Sequence, residues 1–388
     1  MEIKRYLQQL RDEGNFREIP NFTKSGILDF STNDYMGLGA DEALQERFFA
    51  DPASRKVSMT SSAARLLAPR QIDYANLEVF LRLLYAKRRG DDTGALMFNS
   101  GYHANTGLIP AIAAKDTYII ADKLVHASII DGIILSRASY ARFPHNDFDR
   151  LESMVAKKAP EFGNILVVVE SVYSMDGDSA DIERLIDLKR RYPNVVLYVD
   201  EAHAFGVLGP RGLGLVAASS APGMVDVVVG TFGKAAASMG AFAITGRDMR
   251  DYLVNTTRSF IFSTAIPPIQ AAWSRFTVGA LAQMDKERAH IAELGKRLQQ
   301  VIHKYSPVDV VPSHIQPLII GDSKKAVELS HKLYNIYGIK ALPIRKPTVP
   351  AGTERLRFSL SASMKVSDID ALDKALADLL PVINPPKL

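Results

Sequence analysis

Apolar residues recur along this chain with two different periods. Within residues 1–11 they fall at Ile3, Tyr6, Leu7 and Leu10, the spacing of one helix face, and predict a short N-terminal helix. From about residue 72 the pattern alternates. Short aliphatic runs, GALMF (94–98), TYIIA (117–121), NILVVVE (164–170), NVVLYVD (194–200) and DVVVG (226–230), predict strands. Amphipathic stretches between them, DFDRLESMVAKKA (147–159) and DIERLIDLKRRY (181–192), predict helices. Continuous apolar strands alternating with helices predict an α/β fold, a mostly parallel sheet covered on both faces. Residues 284–305 read as one long charged helix that leaves this domain. Strands in IQPLII, IKALPI and RLRFSLS follow, then a closing helix from Ser367, an α+β pattern. The expected organisation is an N-terminal helix and segment (1–50) packing with a small domain, a large domain (51–285) and a C-terminal small domain (286–388).

Composition narrows the classes. Hydrophobic residues make up 47% of the 388 and charged residues 23%, ordinary for a globular protein. The absence of cysteine excludes disulfides, thiolate metal sites and cysteine nucleophiles. The N-terminus MEIKRYLQQLRDEG is charged throughout, and no apolar run approaches bilayer length, so the expectation is a cytoplasmic protein without a secretory signal or a membrane partner. A net charge of +4, with no basic block beyond Lys87-Arg88-Arg89, gives no support for a nucleic-acid partner.

In open α/β sheets ligands bind beyond the carboxyl ends of the strands. Polar groups gather there in this sequence. The run VVLYVD delivers Asp200, Glu201 and His203; ILVVVE leads into Ser171 and Ser174; TYIIADK leads into His126. GALMFNSGYH delivers Ser100, Gly101, Tyr102 and His103, and DVVVG leads into Thr231 and Lys234. Singly, a strand-end aspartate or histidine is ordinarily a structural hydrogen-bonding residue. Together they call for another account. Lys234 is the awkward one, for it has no carboxylate beside it in the sequence and sits among glycines and alanines.

Two motif readings fail. DEAH (200–203) suggests a nucleotide-bound magnesium, but no G-x-x-x-x-G-K-[ST] loop precedes it, and GTFGKA has the wrong spacing and an alanine for the hydroxyl. GVLGPRGLG (206–214) does not fit a dinucleotide loop and reads as a surface turn. A pyridoxal phosphate site accounts for the set. That cofactor needs a lysine for its aldehyde, an acid to keep the ring nitrogen protonated, a partner for its phenolate oxygen and donors for its phosphate. Lys234, Asp200 and His203 supply the first three; Thr231 and the backbone N–H groups of the Ser100–Tyr102 turn, at a helix N-terminus, supply the last.

The segments NSGYHAN (99–105), DKLVHASIIDG (122–132), FPHND (143–147), ESVYSMDGD (170–178), DEAHAFGVLGPRGLG (200–214), TFGKAAASMGA (231–241) and FSTAIPP (262–268) run in order across nearly the whole chain, from STNDYMGLG (31–39) onward. They resemble the α-oxoamine synthases of the fold-type I pyridoxal phosphate enzymes. The resemblance implies a large domain with a mostly parallel central sheet and a smaller α+β C-terminal domain. It implies that Lys234 binds the cofactor covalently, Asp200 pairs with the ring nitrogen, and His203 and Ser174 lie near the phenolate edge. By the same resemblance His126 stacks on the ring, Gly101 and Tyr102 hold the cofactor, and Thr231 contacts the phosphate. Arg357 is implied to bind the amino-acid carboxylate, with Arg17, Asn33, Arg345 and Thr348 also at the substrate. No metal is implied. A homodimer with active sites at its interface is implied too, Ser263 and Thr264 reaching a neighbouring subunit's phosphate.

The implied chemistry is a decarboxylative condensation of an amino acid with an acyl thioester. The stretches SHIQPLIIGDSKKAVELSHKL (313–333) and ALPIRKPTVPAGTERLRFSLSA (341–362) are similar to the member that joins L-alanine to a pimeloyl thioester, carried on coenzyme A or an acyl carrier protein. Sister members use glycine or serine. A cofactor-binding scaffold without catalysis is the rival from another class, and the joint presence of Lys234, Asp200, His203 and Arg357 argues against it. The chain also departs from the family. VSMTSSAARLL (57–67) stands where a glycine-rich segment is expected, and Ala235, Ala236, Ala237 and Ser238 replace glycines after the lysine.

Overall fold

Six strands point one way and a seventh runs against them in the larger sheet of this computed structural model, which describes residues 2–19, 25–69, 71–306 and 308–381. The strands are β1 (Thr93–Phe98), β2 (Thr117–Asp122), β3 (Ser139–Phe143), β4 (Asn164–Glu170), β5 (Val195–Asp200), β6 (Val227–Thr231) and β7 (Ala241–Gly246). Their order is β1-β7-β6-β5-β4-β2-β3, with β7 antiparallel to both neighbours and every other pair parallel. Strands β1, β6 and β7 are buried almost throughout, as expected of a sheet covered on both faces. The α/β expectation stands, and the five predicted strands fall where the apolar runs placed them.

Two strands carried no recognisable signal. β3, SYARF, is a sheet edge exposed along most of its length, so burial never selected an apolar run there. β7, AFAITG, is inserted between β1 and β6, and its short mixed sequence hides a strand buried in all but its last residue. The two predicted helices begin one residue late, at Phe148 and Ile182, because Asp147 and Asp181 are N-caps whose carboxylates accept from Arg150 N (2.9 Å) and Arg184 N (3.1 Å).

The chain divides into two units, one made of residues 36–173 and 179–288, the other of 1–35, 174–178 and 289–388. The first break thus falls at Tyr35–Met36, and helix Glu42–Ala50 belongs with the larger unit. In the smaller unit β8 (Ile315–Ile319), β9 (Leu342–Ile344) and β10 (Arg355–Ser359) form an antiparallel sheet in the order β9-β10-β8. IKALPI is split at Ala341, since Ile339–Lys340 pairs instead with Leu28–Asp29. The N-terminal segment is tied into this unit. Ser323 Oγ donates to Asn15 Oδ1 (3.0 Å), Lys340 Nζ meets Asp29 Oδ2 (2.9 Å), and Ser359 N donates to Phe30 O (2.7 Å).

In the larger unit, helices Gly101–Ile112 and Ala127–Ser136 approach closely at Gly132, where an added Cβ would lie 2.6 Å from Asn105 O. Backbone cannot yield as a flexible side chain does. Gly132→Ala is expected to destabilise the protein by about 2 kcal/mol through overpacking, measured as the shift in denaturant midpoint at unchanged slope.

Candidate active site

Asp200 ends β5 with its side chain buried and its oxygens individually directed. Oδ2 accepts from Asn105 Nδ2 at 2.8 Å and Oδ1 accepts the backbone N–H of Ala202 at 2.9 Å. Asn105 is fixed in turn: its Nδ2 also donates to Ser128 Oγ (2.9 Å), and its Oδ1 accepts from Tyr198 OH (2.6 Å). Asn105, Ser128 and Tyr198 were passed over in the sequence. One signal was present, because Asn105 lies four residues after Gly101 and so on the same helix face.

Lys234 lies in the turn between β6 and β7, half-buried, with Nζ 2.6 Å from His203 Nε2. The sequence shows no carboxylate beside it, yet the fold brings an acid to it. Its charge acts on Glu170 at the end of β4 and on His126. Behind the turn, Phe205, Phe232 and Phe242 pack as one cluster, with Phe242 4.8 Å and 5.2 Å from the other two by ring centroid. The alanines that replace family glycines are accommodated here. Ala235 is fully buried against Gly206, and a Cβ on that glycine would stand 2.5 Å from the Ala235 Cβ. Ala237 adopts a left-handed φ of 45°, which costs an alanine about 1 kcal/mol. The indole N–H of Trp273 donates to its carbonyl at 3.0 Å, while Ser238 Oγ lies 2.7 Å from Ser274 Oγ and accepts from Gln270.

Gly101 opens helix Gly101–Ile112, with Ser100 as its N-cap. A Cβ on Gly101 would lie 4.0 Å from Thr231 Oγ1, and one on Gly233 3.6 Å from it, so the hydroxyl borders space that glycines keep free of side chains. Thr231 Oγ1 donates to Gly240 O (3.1 Å) and accepts from Gly233 N (3.2 Å). Tyr102 is about half exposed, and its hydroxyl donates to Asp131. This donor set fits pyridoxal phosphate. It offers an oriented carboxylate for the ring nitrogen, a primary amine for the aldehyde, and a helix N-terminus beside a hydroxyl for the phosphate.

His126 N-caps helix Ala127–Ser136; its Nδ1 lies 2.8 Å from Ser128 Oγ, and its backbone N–H donates to Glu170. Desolvation holds its imidazole below the ordinary range, and the Lys234 charge adds to this while Asp200 opposes it. Two neighbouring acids move the other way. Burial, with Asp200 near, raises the Glu170 carboxyl well above its usual range. Burial also pushes Glu201 up to about 7. Glu201 organises the stretch expected to be a surface turn, and that expectation holds at its tip, where Pro210 is exposed, but not at its ends, where Val207 and Leu213 are buried. Glu201 Oε1 accepts from Val216 N (2.9 Å), and a Cβ on Gly214, whose φ is 90°, would collide with its Oε2 at 1.7 Å. Gly214 thus leaves room for the buried carboxyl, while Gly209 lies against the Gly214 backbone.

Ser263 and Thr264 both receive Asn99 Nδ2, on the hydroxyl of Ser263 (3.0 Å) and the carbonyl of Thr264 (2.6 Å), and Thr264 is exposed. The segment around Ala64 bridges to Thr264, and Ser61 Oγ donates to Ala265 O at 3.1 Å.

The smaller unit carries the remaining candidates. Arg357 on β10 is buried; its Nε donates to Ser174 O (2.7 Å) and its Nη2 to Asn33 Oδ1 (3.1 Å) and Tyr35 OH (3.2 Å). Burial raises the Tyr35 phenol to about 12, so it stays protonated. Arg345 is engaged by backbone, donating to Gly14 O (2.6 Å) and Phe16 O (3.2 Å), and Arg17 donates to Thr348 Oγ1 (3.1 Å).

Comparisons with known proteins agree with this cofactor. The family described as aminotransferase class I and II matches residues 25–376. A protein of Pasteurella multocida (strain Pm70) named "Putative 8-amino-7-oxononanoate synthase" is 46% identical over 97% of this chain and 99% of its own. One of the same name from Glaesserella parasuis is 43% identical over 97% and 100%. Among solved structures, a serine palmitoyltransferase from S. paucimobilis with bound PLP and myriocin superposes with a TM-score of 0.86 at 27% identity, over 97% of each chain. An 8-amino-7-oxononanoate synthase from Francisella tularensis superposes with a TM-score of 0.72 at 25% identity, over 92% of this chain and 98% of that one.

The raised Glu201 carboxyl has a consequence for stability. The native protein keeps this proton up to about pH 7, whereas the unfolded chain releases it near the ordinary glutamate value. Between those limits the native state binds more protons, so this group's contribution falls by up to about 1.4 kcal/mol per pH unit as pH rises. Glu201→Gln keeps an acceptor for Val216 N and removes the titration. The variant is expected to gain stability relative to wild type from pH 5 to pH 7, as urea unfolding at each pH checks.

Proposed function

This chain belongs to the aminotransferase class I and II family and, within it, to the α-oxoamine synthases, PLP-dependent enzymes of fold type I; on that premise we propose that it is an 8-amino-7-oxononanoate synthase. The reaction joins L-alanine to a pimeloyl thioester and releases CO2, the free thiol and 8-amino-7-oxononanoate, a biotin precursor. The observation that carries this reading is the 46% identity, over nearly the full length of both chains, with a protein named for that product.

Bound PLP supplies an electron sink for the carbanion formed at the alanine Cα. The residues act around it. Asp200, held by Asn105 and Ala202, would keep a proton on the ring nitrogen, because a nearby carboxylate favours its charged form. Lys234 Nζ takes the Cα proton and returns one at the end, with His203 as its hydrogen-bond partner. His126 and Ser174 border the cofactor in this reading, and Gly101, Tyr102 and Thr231 hold it. Arg357 receives the alanine carboxylate; Nη1 has no partner among the described residues, while Nε and Nη2 fix the plane of the guanidinium. Asn33, Arg17, Arg345 and Thr348 lie at the substrate. The enzyme works as a cytoplasmic homodimer with Ser263 and Thr264 contributed across the interface, and the thiol carrier is coenzyme A or an acyl carrier protein.

A second reading has its own observation. The serine palmitoyltransferase superposes with the higher TM-score, 0.86 against 0.72, which favours serine as the amino acid. Sequence identity favours alanine, 46% against 27%.

Asp200→Asn is expected to retain bound cofactor and lose turnover by about a thousandfold, some 4 kcal/mol of barrier. Cofactor absorbance and steady-state rates on one preparation check this, and near-normal turnover would assign the acid to another residue. In a matrix of amino acids and thioesters, L-alanine with pimeloyl thioester should give the highest kcat/KM. Glycine or serine with another acyl-CoA giving the higher value would move the protein to a sister activity. Arg357→Lys should raise KM for alanine and lower kcat, since a point charge replaces a planar fork.

A further inference from the structure

Glu170 ends β4 opposite Asp200 in the parallel register of β4 and β5. Paired residues of neighbouring strands project from the same face of a sheet, with strands about 4.8 Å apart. The two carboxyls therefore stand side by side, both buried. Two carboxylates so placed do not both ionise. Among the described residues Asp200 has two N–H donors, Asn105 Nδ2 and Ala202 N, whereas Glu170 has the single backbone N–H of His126. The charge stays on Asp200 and the proton goes to Glu170. Other charged groups face the pair. Asp122, at the end of neighbouring β2, reinforces the effect, while Lys234 and the His126 N–H oppose it; burial together with Asp200 prevails.

We propose that Glu170 is a positioning residue that works as a neutral carboxyl, fixing His126 through its backbone N–H and leaving Asp200 the one anion of the pair. The proposal rests on the family's cofactor and not on which amino acid or thioester reacts. A holoenzyme that binds PLP but fails to condense alanine would sink the substrate reading and leave this test intact.

The test compares wild-type holoenzyme with Glu170→Gln and Glu170→Met. In the infrared difference spectrum at pH 7 between wild type and Glu170→Gln, the band expected to vanish is that of a protonated carboxyl. Loss of carboxylate bands instead would overturn the proposal. The Gln variant, which keeps an acceptor, should leave the PLP dissociation constant and the visible circular dichroism unchanged. The Met variant, similar in length but without an acceptor, should weaken PLP binding by about tenfold, the value of one buried hydrogen bond, and diminish the dichroism. A Gln variant that matches Met, or a Met variant that matches wild type, overturns it. Should Glu170→Met fail to fold, the infrared band and the Gln dissociation constant decide alone.

Discussion

A carboxylate buried at the end of a strand is the constraint from which the larger unit's arrangement follows. Removing Asp200 from water is tolerable only if its oxygens find donors, and both come from fixed groups, the Asn105 amide and the Ala202 N–H. Asn105 can serve only if its own amide is held, which Tyr198 on β5 and Ser128 on the next helix accomplish. That helix must then come close, which is why Gly132 meets the Asn105 carbonyl. One buried charge thus fixes a strand, two helices and a glycine.

The same charge orders its neighbours electrostatically. Glu170 and Glu201, flanking it in the structure, are both raised by burial, and the Asp200 charge adds to the effect on each. Burial holds the His126 imidazole down, and the positive charge of Lys234 in the same cluster adds to this. The strand ends are a coupled set of ionisable groups, tuned chiefly by their shared dryness.

Much of this was legible in the sequence where the signal is local. Uninterrupted runs such as ILVVVE and VVLYVD announce buried parallel strands, and the polar residues that follow them mark the ligand edge. What stayed hidden depends on tertiary pairing. The carboxyl group near Lys234 belongs to Glu170, many residues upstream, and only the sheet order brings the two together. The GVLGPRGLG stretch reads as a surface turn because glycines are common in turns; Gly214 instead makes room for the Glu201 side chain, which a linear reading cannot show. β7 was missed because its burial comes from insertion between two strands, not from a long apolar run. Conversely, the alanines after Lys234 were recognisable as departures, while Gly206, which makes space for one of them, was not recognisable as the compensation.

The single reversed strand governs when this protein can become itself during synthesis. β1, whose end leads to Gly101, has β7 as its only neighbour in the sheet, and β7 also flanks β6, whose end leads to Lys234. A nascent chain can assemble β2 to β6 into a sheet as they emerge, but residues 93–98 must wait for residues 241–246. Until then the helix that opens at Gly101 has no strand to anchor its start, and an early β1 is an unpaired edge open to wrong partners. The turn that opens at Gly101 and the turn that carries Lys234 therefore come within reach of one another only at a late step, once β7 has joined the sheet between them.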